Sequence, residues 1–168
     1  MRDMVPMELD DIERAPLFVR AEATLDATPD AVFDELGDPS LWFPLMRRSV
    51  WRSGATSGVG AQREVDLIAF GAFRERMLAW DRGRRCAFTM TATTSPIVAR
   101  MAEDWLLGET PDGRARLTWL VGGALTPVGR PLAPALKLVL RGMFATAARG
   151  LAKRSRWSAG RARGTHAV

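Results

Sequence analysis

The chain has 168 residues, 47% of them hydrophobic, which is enough for one domain with a full core and too little for two. Its 24 Lys and Arg against 19 Asp and Glu give a formal charge of +5, and Lys153, Arg154, Arg156, Arg161 and Arg163 crowd the C-terminal end. That placement reads as a solvated tail, so no nucleic-acid partner is expected, while peripheral contact of the tail with a membrane stays open. A lone cysteine, Cys86, excludes an internal disulfide. The opening Met-Arg-Asp-Met-Val-Pro lacks the apolar run of a signal peptide, and the expected location is cytoplasmic.

In chain order, residues 1–15 are acidic and non-periodic, an extension that either lies over the surface or is mobile. Leu17 to Leu25 reads as a first strand. Thr28 is an N-cap, Pro29 suits the first helical position and Asp30 favours the positive end of the helix dipole, so a short helix follows, closed by Gly37. Asp38-Pro39 forces a turn, and a second helical turn is expected around Leu41 to Met46, with a short strand at 50–53.

Turn signals then recur at Gly58-Val59-Gly60, Phe70-Gly71, Arg82-Gly83, Ser95-Pro96 and Asp112-Gly113, the spacing of an antiparallel meander. Alternation puts Phe73, Met77, Phe88, Met90, Met101, Trp105 and Trp119 on one apolar face, joined by Val65 and Leu67 on a neighbouring strand. Arg74, Arg76, Thr89, Thr91, Arg100, Asp104, Arg116 and Thr118 fall on a wet face, and Leu78, Trp80 and Leu106 break the pattern there. From Pro131 to Arg154 runs the one long helical pattern, with Leu136, Leu140 and Met143 on the side that must cover the sheet. Its charges Lys137, Arg141 and Arg149 exclude a membrane span. The predicted architecture is α+β: a curved antiparallel sheet wrapped around a long C-terminal helix, with two short helices after the first strand. Its boundaries are 1–15 for the extension, 16–156 for the domain and 157–168 for a basic flexible tail.

Glu75 and Glu103 fall on the apolar parity, where a carboxylate must pair or become protonated. Either carries proton transfer or donates a hydrogen bond to a ligand, or else forms a structural pair with Arg63. The aromatic and Met residues of this face are core packing or the wall of a ligand cavity. Trp42, Phe43 and Met46 cap the core or form a portal, with Gly122-Gly123 and the loop 126–131 as its opposing rim. There is no His/Cys cluster for a metal, and Gly54 to Gly60 lacks the Lys of a phosphate loop, so neither metal nor cofactor is expected. Cys86 reads as a small core residue.

The ordered set of strand, Thr-Pro-Asp-Ala-Val-Phe helix, Asp-Pro-Ser-Leu-Trp turn, hairpin through Ala79-Trp80-Asp81-Arg82-Gly83, strand Ala115 to Trp119 and final helix resembles the SRPBCC (START-like) superfamily. More narrowly, it is similar to the polyketide cyclase/dehydrase and lipid-transport family. The resemblance covers about Leu17 to Arg156 and implies the helix-grip fold, with an apolar cavity between sheet and helix. It implies binding of a hydrophobic small molecule, lipid-like or polyketide-like, or alternatively an aromatase/cyclase using a cavity carboxylate. Cyclising relatives use Tyr, His, Arg or Asp in the pocket; this chain has no Tyr, and its one His, His166, lies in the tail.

Overall fold

A computed structural model of the chain describes residues 1–52, 54 and 56–164; the end of the expected tail, 165–168 with His166, lies outside the described residues, as does Ser53 at the end of the short strand expected at 50–53. The elements are β1 (Arg2–Asp3), β2 (Leu17–Leu25), α1 (Pro29–Glu35), β3 (Met46–Trp51), β4 (Gln62–Leu67), β5 (Gly71–Asp81), β6 (Arg85–Thr93), β7 (Val98–Glu109), β8 (Ala115–Leu125) and α2 (Ala133–Gly164). Strands β2 to β8 form one antiparallel sheet in the order β2-β8-β7-β6-β5-β4-β3. The long helix α2 lies along its concave face, where Leu136, Leu140, Met143, Ala147 and Leu151 enter the same core as the inward residues of the strands. This is the helix-grip arrangement, and the sheet is not closed.

Local chemistry sets the starts and stops. The Thr28 hydroxyl accepts from the Ala31 N–H at 3.3 Å, the N-cap expected of Thr before Pro29. The other end departs from expectation: Leu36 is the C-cap, and Gly37 does not adopt a positive φ. The stop comes from Asp38, whose carboxylate accepts from the Ser40 N–H at 3.1 Å and opens a single 3-10 turn at Pro39–Leu41, earlier than the turn expected at Leu41 to Met46. Met46 already begins β3. The turn glycines Gly58, Gly60, Gly71, Gly83 and Gly113 all take positive φ, where a side chain would be strained.

Parity sorts most side chains as expected, with two departures. Strand β5 bulges between Met77 and Ala79, so Trp80 falls opposite Cys86 and returns to the core side. There it meets Phe33 edge-on at 5.2 Å and Trp51 at 5.8 Å, closing one end of the core. The convex face is not uniformly wet. Residues 1–15 lie across it: β1 pairs with the end of β6 beyond Thr89↔Ala102, where β6 and β7 part, and Met4, whose N–H donates to the Thr91 carbonyl at 2.8 Å, is buried in the main core. Met7 and Ile12 then pack on Ala102 and Leu120 with Leu106 beside them. The Met7 N–H donates to the Thr89 hydroxyl at 2.8 Å, and the Arg100 guanidinium donates to the Pro6 carbonyl at 3.1 Å.

Gly122 explains this close approach. A Cβ there would stand 2.5 Å from the Ile12 Cα and 2.6 Å from its carbonyl oxygen. Gly122 and Gly123 lie inside β8, so they are no cavity rim, contrary to expectation. At the other terminus α2 continues past Arg154 through Trp157 to Gly164, so the first part of the expected tail, 157–164, is helical. Among the described residues no helix is long and apolar enough to cross a membrane.

Candidate functional site

Between the concave face and α2 lies a cavity of about 100 Å³. On strands β4 and β5 its wall is built from Val65, Leu67 and Phe73, and on β6 to β8 from Phe88, Met90, Met101, Trp105 and Trp119. Helix α2 contributes Leu136, Leu140 and Met143, and the chain after α1 contributes Trp42, Phe43 and Met46. Of the residues expected to line it, Met77 does not. It is 1% exposed and packs within the core, because its main chain is tied to the 58–61 turn: its N–H donates to the Ala61 carbonyl and its carbonyl accepts from the Gly60 N–H, each at 2.9 Å.

Sequence reasoning missed several lining residues. Phe144 stacks on Trp119 with centroids 5.4 Å apart, one position beside the expected stripe on α2; a core-facing helical stripe wide enough to hold Met143 and Ala147 already includes it. Ile97 follows Pro96 in what reads as a plain turn, and no periodicity marks it. Cys86, on the inward parity, reaches the wall as well, and burial pushes its thiol up to about 12, which makes it inert as a nucleophile. Gly150 on α2 is a further omission: a Cβ there would lie 1.9 Å from the Trp42 carbonyl oxygen, so the glycine lets the Trp42 segment press against the helix. The Trp42 indole donates to the Glu35 carbonyl at 2.7 Å, and Glu35 is held in turn by Arg154 at 2.9 Å and by Ser158, joining α1 to α2.

Two carboxylates stand on the floor, and their surroundings differ. Arg63 and Glu75 face each other across β4 and β5, and both Nε and Nη2 of the guanidinium lie 2.7 Å from the same Glu75 oxygen. Nη1 of Arg63 donates to the Leu36 and Gly37 carbonyls at 3.0 and 3.2 Å, satisfying the end of α1. The guanidinium also sits over the Trp51 and Phe88 rings, at 5.4 and 5.5 Å. Both residues are about 3% exposed. Burial drives the Glu75 carboxyl upward, against the pull of Arg63.

Among the described residues Glu103 has no such cation. The period of two along β7 sets it between Met101 and Trp105 on the inner face, and Trp105 lies directly opposite Trp119 on β8. Both indole N–H groups converge on one oxygen, Oε2, from Trp119 at 2.7 Å and Trp105 at 3.1 Å. Oε1 makes no hydrogen bond among the described residues, and Glu103 keeps part of its surface on the cavity. Burial raises its carboxyl to about 7, the two indole donors opposing the rise and the Glu75 charge adding to it. With both N–H groups on Oε2, a proton on this carboxyl belongs on Oε1, pointing into the cavity. The site therefore offers a neutral acid or a carboxylate at nearly equal cost around neutral pH. Among the described residues no cluster of His, Cys, Asp and Glu could hold a metal.

The fold is shared with solved structures of low sequence identity. The ZhuI aromatase/cyclase from Streptomyces sp. R1128 is 16% identical, with a TM-score of 0.69 over 83% of this chain and 93% of that one. A START superfamily protein from Mycobacterium smegmatis is 13% identical, with a TM-score of 0.69 over 83% and 97%. A hypothetical protein from Helicobacter pylori, 14% identical, superposes over 92% and 99% with a TM-score of 0.72. No curated protein matches this chain by sequence. Residues 17–156 match the family model of polyketide cyclases/dehydrases and lipid transport, from the first long strand through three quarters of α2, and the chain belongs to that family.

Proposed function

We propose that the protein binds a hydrophobic small molecule, lipid-like or polyketide-like, in the cavity under α2. The observation that carries this reading is a chamber walled by aromatic and Met side chains into which Glu103 turns Oε1, an oxygen that makes no hydrogen bond among the described residues. A packed core would fill that space or pair that oxygen. The free space is small beside the several hundred Å³ of an ordinary ligand site, on the order of 300–1,000 Å³. A ligand therefore enters by displacing Met90, Met101 and Met143, whose unbranched side chains re-pack at low cost. The apolar body lies along these residues, and a polar group on it meets Oε1, which donates to a carbonyl when protonated and accepts from a hydroxyl when ionised.

Titration with fatty acids, sterols and aromatic polyketides tests this directly, because Trp42, Trp105 and Trp119 report on the cavity through their emission. The expected result is saturable binding by at least one class, with a Kd of about micromolar order once association costs are met. A flat response to all three overturns the proposal.

The geometry of Glu103 favours a second reading, an aromatase/cyclase-type enzyme. In that case ionised Glu103 takes a proton at Oε1 from a carbon flanked by carbonyls. The carbanion attacks a second carbonyl of the same chain, and Glu103 returns the proton to the alkoxide formed there. A general base near pH 7 suits this exchange. Glu103→Gln separates the readings: it leaves ligand affinity within a few-fold in both, and abolishes turnover of a cognate substrate only in the second.

A further inference from the structure

We propose that the solvent face at the start of α2, together with the loop before it, is a docking surface for an anionic lipid bilayer. Four large apolar side chains stand in solvent there: Val128 is 78% exposed, Leu132 48%, Leu138 71% and Val139 45%. Ala135, Gly142 and Ala145, also exposed, continue the stripe on α2 opposite the cavity-lining Leu136, Leu140 and Met143. Isolated exposed apolar residues are ordinary, but four on one helix start and its loop form a patch that calls for an occupant.

Charge selects the occupant. After Asp112 the chain contains no Asp or Glu at all. Arg130 and Arg141 are exposed beside the apolar patch and Lys137 is half-buried, and none has a carboxylate within ion-pair distance among the described residues. Further along the helix, by contrast, Arg154 and Arg156 are paired with Glu35 and Asp26. A second copy of the chain would bring this cationic patch against itself, and a nucleic acid would leave the exposed Leu and Val side chains in water. A bilayer with anionic headgroups takes both, the apolar side chains entering the interface while the Arg and Lys heads meet phosphates.

The surface adjoins the cavity without depending on it. The helical turns that expose Leu138 and Val139 line the cavity through Leu136 and Leu140 on their other side. The loop is held against the wall too, since a Cβ on Gly129 would stand 2.5 Å from the carbonyl oxygen of Ile97.

Vesicle flotation with the full chain tests the proposal. At low salt it is expected to float with vesicles of phosphatidylcholine and phosphatidylglycerol, not with phosphatidylcholine alone, and to be released at high salt. Val128→Gln with Leu138→Gln is expected to abolish flotation while leaving the melting temperature unchanged, both side chains being exposed. Lys137→Gln and Arg141→Gln are each expected to weaken partitioning about fivefold. Absence of flotation with the anionic vesicles overturns the proposal. So does flotation that survives these variants but is lost with Arg161→Gln and Arg163→Gln, which moves the contact to the end of the chain. A dimer in sedimentation that Leu138→Gln dissolves also overturns it, by assigning the face to a second copy.

Discussion

Glu103 and Asp104 are consecutive residues of β7, buried on opposite faces of the sheet, and the chain treats them differently. On the convex side Asp104 is 4% exposed, lies beneath the N-terminal segment, and receives two parallel hydrogen bonds from Arg85 at 2.9 and 2.8 Å. On the concave side Glu103 receives two neutral indole N–H groups and, among the described residues, no cation, beside open space. The concave face does not lack arginine, for Arg63 is committed there to Glu75 and to the end of α1. Burial of a carboxylate is thus a structural device where the chain supplies its counter-charge, and a chemical opportunity where it does not.

The largest test of this contrast is Arg63→Met. It leaves Glu75 buried without a cation and two carbonyls at the end of α1 without a donor, at an expected cost of about 3–5 kcal/mol in urea denaturation. The cost is expected to shrink at acid pH, where a protonated Glu75 needs no partner. The double variant with Glu75→Gln is expected to recover much of the loss. A single-variant cost below about 1 kcal/mol would show that Glu75 is no better served than Glu103, and the contrast would break.

Glu103→Gln sharpens it from the other side. The folded-state value near 7 lies above the ordinary 4.5, so the folded protein holds a proton that the unfolded chain gives up as pH rises between these values. Stability from this group is fully present below about pH 4.5 and lost as pH passes 7, a swing of up to about 3 kcal/mol. Glutamine keeps an acceptor for both indoles and cannot ionise. Melts across this range should therefore find the variant and the parent equal near pH 4.5, and the variant more stable above pH 7 by several degrees. Parallel curves would mean that Glu103 titrates as an ordinary surface carboxylate.

How much of this was legible in the sequence follows from the range of each interaction. The Thr28 cap and the turn glycines act within a few residues, and they are readable. So are the inward carboxylates and their possible partner Arg63, because a period of two survives along any regular strand. The bulge at Met77 and Ala79 is not: it depends on how β5 and β6 must twist together, and it returns Trp80 to the core against its parity. The N-terminal segment is opaque for a different reason. Met4, Met7 and Ile12 share no period, since Met4 joins the main core while Met7 and Ile12 pack together on the back of the sheet, and their acidic neighbours leave a surface extension and a mobile one equally readable. Of the cavity, the strand-borne wall was visible, whereas Ile97 and Phe70 come from turns whose inward aim is set by the fold alone.

The smallest effect expected of these variants comes from the convex face. Gly122→Val puts a side chain where the Ile12 main chain now lies, and overpacking against backbone costs about 1–3 kcal/mol. The strain is relieved most cheaply by lifting the N-terminal segment, which is held by few main-chain bonds, rather than by bending β8 between two neighbours. Hydrogen exchange is therefore expected to quicken at the amides of Met4 and Met7, which donate to the Thr91 carbonyl and the Thr89 hydroxyl, and to stay slow in β7 and β8. Ligand-induced changes in tryptophan emission should be unaltered, because no lining side chain moves. If the valine instead changes emission or binding, the two faces are mechanically coupled through the sheet, and the separation of a structural back from a chemical front fails.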